Sequence, residues 1–225
     1  MLRTELNLLI VDDHPMTVNG YINVLSEEDF DFEILFNKAL NCQEAYSLIL
    51  DKKNENKKLD IAFLDLSLPP YEEKNILSGS DLGKLIREKF PQCLVIILTM
   101  HSDVKLIEEL IEQINPEGIL CKSDIDIDEF LHAFNTIIAG EQYYSHKIEK
   151  ALKDKTINSY NLDLYDKQIL MRLSEGILTQ NIPNYVPLPL NDIEKRKAHL
   201  KHLLLEGKEG NDDEFVEKIK RIGII

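Results

Sequence analysis

The sequence predicts an α/β fold, a doubly wound five-stranded parallel sheet, followed by a small all-α domain. Three observations predict it. Short apolar runs alternate five times with stretches of helical periodicity over residues 1–144, the pattern of a parallel sheet covered by helices on both faces. Each run ends in, or just before, polar residues. Beyond residue 160 the strand pattern stops and helical periodicity alone remains.

Taken in order, Leu6–Val11 is an apolar run ending at Asp12-Asp13-His14-Pro15, and Val18, Ile22 and Leu25 then share a helical face. Phe32–Phe36 is a second, more alternating strand. Ala45, Leu48 and Ile49 mark the helix after it. Ile61-Ala62-Phe63-Leu64 runs into Asp65, with Pro69 four positions later; an unbroken apolar run is a strand buried on both faces. Ser80–Phe90 is helical through Leu82, Leu85 and Ile86. Cys93–Leu98 is a fourth strand ending at Thr99, and Val104–Ile114 a helix. Gly118–Cys121 is a fifth strand ending at Lys122. Ile127–Ile138 is the last helix of this part and stops at Gly140.

The chain has 225 residues, 44% hydrophobic and 29% charged, enough for one large or two small folded domains. It has no apolar run near 18 residues and no basic-then-apolar leader, so the expectation is a soluble, cytoplasmic protein with no membrane partner. Cys42, Cys93 and Cys121 are odd in number and form no C-x-x-C pair, which suits reduced core thiols. The net charge of −14 is uneven: residues 1–150 hold 28 acidic and 14 basic side chains, residues 151–225 hold 12 of each. Two charge characters suggest two domains with different partners, and the acidic first region disfavours nucleic acid. The division expected is 1–144, a partly helical linker over 145–160, and 161–225.

Right-handed crossovers put every strand's C-terminal tip on one edge of a parallel sheet. Asp12 and Asp13, Asp65, Thr99 and Lys122 therefore converge. Taken alone, Asp65 equally suits an ordinary turn; the arrival of the other residues from three further strands favours chemistry. Three carboxylates repel one another unless a cation is bound. Mg²⁺ takes one or two carboxylates, water and phosphate oxygens. Such a site can accept a phosphoryl group on Asp65, with metal and Lys122 neutralising its oxygens and Thr99 donating a hydrogen bond.

Val11-Asp12-Asp13-His14-Pro15, Asp65-Leu66-Ser67-Leu68-Pro69, Leu98-Thr99-Met100 and Gly118-x-x-x-Lys122 together resemble the receiver domain of bacterial two-component response regulators, over about residues 5–145. The resemblance implies that Asp65 takes phosphate from a sensor histidine kinase. It also implies that Mg²⁺ is held by Asp12, Asp13, Asp65 and the backbone carbonyl of Ser67. Thr99 is then the switch hydroxyl and Lys122 the phosphate-pairing amine. His14-Pro15 and Gly140–Ser145 resemble the NarL/FixJ branch, whose output is a helix-turn-helix. Two departures stand out. Ile119 occupies the position where many receivers carry an aromatic switch residue. The loop from Pro69 to Gly79 is longer than usual, either a flexible lid or, the preferred reading, a tolerated surface insertion.

In the second domain, Asp163–Glu175 is an amphipathic helix stopped by Gly176. Thr179 is expected to cap a short second helix reaching about Val186. Asn191, with Glu194 three residues on, is expected to cap a third, and Asp213–Arg221 is a fourth. Leu162-x-x-Tyr165 through Gly176, then Ile182, Val186, Ile193, Leu200 and Leu204, and the ending to Gly223-Ile224-Ile225, resemble the LuxR-type helix-turn-helix. That resemblance puts the third helix into the major groove of double-stranded DNA, with Lys195, Arg196, Lys197, His199 and Lys201 as contacts. Six basic or His residues fall within eight positions there, counting His202. The bland alternative is a solvated helix face, and His199 and His202 lack the further ligands of a metal site. Pro183, Pro187 and Pro189 depart from the resemblance, and Asp192 and Glu194 place negative charge near phosphates.

The reading is a phosphorylation-switched, homodimerising transcription regulator rather than an enzyme. The alternative is a phospho-regulated protein-interaction module whose second domain does not bind DNA. An aspartyl-phosphate phosphohydrolase is disfavoured, because Ser67 stands where such enzymes carry a second Asp.

Overall fold

The computed structural model of the protein describes residues 4–208 and 210–222. The chain divides into two compact units between Glu149 and Lys150. In the first, β1 (Thr4–Val11), α1 (Pro15–Glu27), β2 (Phe32–Ala39), α2 (Cys42–Asn54), β3 (Ile61–Asp65), α3 (Gly79–Lys89), β4 (Leu94–Thr99), α4 (Val104–Ile114), β5 (Gly118–Cys121) and α5 (Ile127–Ile138) follow in order. The sheet order is β2-β1-β3-β4-β5, every pair parallel. Reversal of strand order on either side of β1 makes the crevice at the carboxyl ends of β1 and β3 a natural site.

A sixth strand corrects the expected five. β6 (Tyr143–Tyr144) pairs parallel with β5, Gly118 opposite Tyr143 and Ile119 opposite Tyr144. Two residues are too few to show a period of two, so the pattern hid it. The expected linker is mostly one helix, α6 (His146–Ser159), whose Ile148 is fully buried, and the boundary between the units falls within it.

The local causes of these elements are plain. All five residues of β3 are buried, and burying each large apolar side chain contributes about 1.5–3 kcal/mol. Pro15 opens α1 at a position that needs no N–H. Asn41, Asp103 and Asp126 cap α2, α4 and α5 by accepting from the N–H three residues on. The Pro69–Gly79 loop is closed by a small antiparallel bridge. Tyr71 N donates to Ile76 O at 2.7 Å, Asn75 turns the chain at φ 56°, and Ile76 is buried.

The second unit contains α7 (Leu164–Ser174), a 3₁₀ turn over Thr179–Asn184, α8 (Leu190–Leu204) and α9 (Asp212–Ile222). Their core is Ile169, Leu170, Leu173, Ile182, Val186, Ile193, Leu200, Leu204, Phe215 and Ile219. Two expected caps are corrected. Thr179 does not cap an α-helix: the second helix is a 3₁₀ turn containing Pro183, which has no N–H to give an α-helical ladder. Asn191 does not cap α8, which starts one residue earlier behind Pro189 with no side-chain cap. Asp163 does cap α7, in a capping box with Asp166. The expected ending at Gly223–Ile225 lies outside the described residues. No helix among the described residues is long and apolar enough to cross a membrane.

Candidate functional site

Strand register assembles the site. Val11 pairs with Leu64, so Asp12 and Asp65 leave adjacent strand ends side by side. Asp65 pairs with Leu98, and Thr99 with Cys121, which brings Thr99 and Lys122 to the same edge. Asp12, Asp65 and Thr99 are buried at 0%, 3% and 2% exposure, values that rule out solvated turn residues.

Lys122 closes the cluster from β5. Its Nζ lies 2.6 Å from Asp12 Oδ2 and 2.7 Å from Asp65 Oδ2. Burial works to lower its pKa, but the hydrogen bonds and charges of Asp12 and Asp65 outweigh burial and hold it above the ordinary lysine value. The ammonium is therefore a fixed positive charge touching both acids. The Thr99 hydroxyl is turned onto its own loop: it donates to His101 O at 3.2 Å and accepts from His101 N at 3.0 Å. Ser67 N donates to Asp65 Oδ1 at 3.3 Å.

One member was expected from the sequence only as part of a family motif, not as a residue of the site. His14 follows the two aspartates, and its Nδ1 lies 2.7 Å from Asp13 Oδ1 and 3.2 Å from Asp12 Oδ1. His14 N donates to Asp12 Oδ1 at 2.9 Å. The 2.7 Å contact is close enough for charge but lacks hydrogen-bond geometry, so Asp13 Oδ1 is a buried oxygen with no hydrogen bond. Ligand atoms of Asp12, Asp13, His14 and Asp65 all lie within 4.8 Å of one another. A buried carboxylate oxygen lacking a donor, within a cluster rich in carboxylate oxygens, fits a hard divalent cation.

Gly79 and Tyr21 also escaped the sequence reading. Gly79 opens α3 against the backbone of Asp65, and its N donates to Leu66 O at 3.2 Å. Tyr21 stacks on Phe130 with centroids 4.5 Å apart and, with Lys122, lines a cleft of about 300 Å³. Burial, then the charges of Asp12 and Asp65, push its phenol up to about 12, so it stays a neutral hydroxyl. Ile119 is wholly buried in β5.

The candidate contacts on α8 divide. Arg196 Nη1 is ion-paired with Asp163 Oδ2 at 2.7 Å and Asp166 Oδ1 at 2.6 Å, on the capping box of α7. Lys197 and Lys201 both pair with Asp212, at 2.6 and 2.8 Å. Lys195 and His199 are exposed, and among the described residues neither is held by an acid. Asp192 and Glu194 are exposed near the start of the same helix.

Residues 8–135 match the family described as "Response regulator receiver domain". The oxygen regulatory protein NreC of Staphylococcus epidermidis is 24% identical over 208 residues, covering 87% of this chain and 89% of that protein. Among solved structures, the RcsB response regulator of Salmonella typhimurium superposes with a TM-score of 0.57 at 19% identity, over 97% of this chain and 99% of that one. A LuxR-family response regulator from Aurantimonas sp. SI85-9A1 gives 0.55 at 23% identity, over 68% and 99%. The buried acids, bridging lysine and edge hydroxyl thus stand in a fold shared with these proteins, and the chain belongs to the response regulator receiver family.

Proposed function

We propose that Asp65 is the phosphoacceptor of a cytoplasmic two-component system and that the C-terminal unit converts its phosphorylation into transcriptional control. The observation that carries this reading is the bridge from Lys122 to both Asp65 and Asp12, beside an Asp13 oxygen that accepts no hydrogen bond. An oxygen of Asp65 attacks the phosphorus of a sensor kinase's phosphohistidine. The O–P bond forms as the N–P bond breaks, and the imidazole leaves with the electron pair. Lys122 stays on the phosphoryl oxygens as it lets go of Asp65. The Thr99 hydroxyl turns from His101 to donate to a phosphoryl oxygen. Asp12, Asp13, Asp65 and the Ser67 carbonyl would hold Mg²⁺, which supplies charge neutralisation when bound. His14 yields its place there, since a hard cation prefers oxygen to imidazole.

For the output, the helical C-terminal unit and the exposed Lys195 and His199 support contact with double-stranded DNA by a homodimer. The structural neighbour RcsB is described in complex with DNA, including as dimers. Acetyl phosphate with Mg²⁺ is expected to label the protein, and Asp65→Asn to abolish labelling; a mutant that still labels would overturn the assignment.

A second reading, a protein-interaction module that does not touch DNA, is favoured by one observation. Arg196, Lys197 and Lys201 are neutralised within the unit, while Asp192 and Glu194 face solvent. A salt-dependent gel shift separates the two, because phosphate contacts weaken steeply with added salt. If the phosphorylated protein binds no duplex even at low salt, the second reading wins.

A further inference from the structure

The C-terminal unit contains an anion site that its own chain occupies. Lys197 and Lys201 are one turn apart on α8, so their side chains are neighbours on one face. Both ammonium groups close on one carboxylate: Lys197 Nζ lies 2.6 Å from Asp212 Oδ2, and Lys201 Nζ 2.8 Å from Asp212 Oδ1. Lys197 Nζ also donates to Thr179 Oγ1 at 3.0 Å. Two ammonium groups, with a hydroxyl beside them, gathered on a two-oxygen anion provide what a phosphate needs: charge and directed donors. A groove of about 270 Å³ lined by Thr179, Glu194, Lys197, Ala198 and Lys201 opens beside them.

Exposure shows which partner is the removable one. The side chains of Lys197 and Lys201 are 17% and 26% exposed, that of Asp212 61%. The carboxylate therefore covers the lysines from the solvent side. It is also not needed to start α9. Asn211 Oδ1 accepts from Glu214 N at 2.8 Å, and Glu214 Oε2 accepts from Asn211 N at 3.2 Å, a reciprocal cap that leaves Asp212 out. The Lys197 and Lys201 hydrogen bonds hold the Asp212 carboxyl below its usual range, so at neutral pH it is charged and competes as an anion.

We propose that Asp212 is a built-in substitute for a phosphodiester phosphate. Lys197, Lys201 and Thr179 take a DNA backbone phosphate only when Asp212 moves away, and the chain's own carboxylate sets the threshold for binding. This rests on the DNA-binding reading above and specifies its regulation.

The test uses the full chain, treated with acetyl phosphate and Mg²⁺, as wild type, Asp212→Asn and Asp213→Asn. Asp213→Asn removes the same charge one residue away without freeing either lysine. Loss of two exposed ion pairs is expected to raise affinity for a mixed-sequence duplex at low salt by roughly three- to tenfold in Asp212→Asn, and by clearly less in Asp213→Asn. In parallel, sulfate is titrated at constant ionic strength while the amide NMR signals of Thr179, Lys197 and Lys201 are followed. Saturable shifts are expected in Asp212→Asn and absent from wild type. Absence of that sulfate difference overturns the proposal whatever the DNA result, and so does equal tightening by the two variants. If no variant binds duplex but sulfate still separates Asp212→Asn from wild type, the internal anion stands and the DNA reading falls.

Discussion

Gly79 stands against the backbone carbonyl of Asp65: a Cβ built on Gly79 would lie 1.9 Å from that oxygen. No side chain fits there without moving the strand end that carries the phosphoacceptor candidate. The chain leaves Asp65, passes through the Pro69–Gly79 loop and returns at Gly79, so the loop's closing glycine packs against the strand end that precedes it. Gly79→Ala is expected to destabilise the first unit by about 1–3 kcal/mol, as overpacking does, and to slow acetyl phosphate labelling. Urea unfolding and labelling rates check both, and an unchanged midpoint with unchanged labelling would contradict this close packing.

Lys122 compensates two buried acids at once. Removing one partner of a buried ion pair costs about 3–5 kcal/mol, because the remaining charge is left without a counter-ion. Lys122→Met should therefore lower the thermal midpoint of the first unit in metal-free buffer. Millimolar Mg²⁺ should recover part of the loss, and should raise the midpoint more in the variant than in wild type. Absence of any Mg²⁺ response in the variant would show that the cation does not bind among these carboxylates.

Asp163 links the cap of α7 to α8. Its pKa lies below the ordinary aspartate value, first through the hydrogen bond from the Asp166 backbone and then through Arg196. A depressed folded-state pKa gives stability that is present above the unfolded value near about 4 and is lost as pH falls through the lower folded value. The second unit should therefore lose stability below about pH 4. Asp163→Asn keeps a good capping side chain and removes the charge, so it should flatten that acid limb by lowering stability at pH 7 towards the wild type's acid value. Asp163→Ala should cost about 1 kcal/mol at pH 7 through the lost cap. Unfolding midpoints between pH 2.5 and 7 distinguish the three proteins.

Apolar periodicity was readable wherever an element was long enough to repeat. β3, α4, β5 and α5 fall on the expected residues, because unbroken Ile/Leu/Val runs and Asp residues at helix starts are local signals. The two-residue β6 and the 3₁₀ turn at Pro183 left no such signal. The convergence of Asp12, Asp13, Asp65, Thr99 and Lys122 was also legible, since an all-parallel sheet has one carboxyl edge and strand order cannot scatter its tips.

The sequence by itself determined which faces are apolar, how many strands carry polar tips, and how many cations lie on α8. Tertiary structure decided where long, flexible cations end. It put Lys122 between two acids, turned His14 back onto Asp13, closed Gly79 onto Asp65, and tied Arg196, Lys197 and Lys201 to carboxylates of α7 and α9. The physical reason is range. Periodicity is set within a few residues, whereas an ammonium or guanidinium takes whichever carboxylate the packed fold brings within about 3 Å, and that choice spans 110 residues for Lys122 and Asp12.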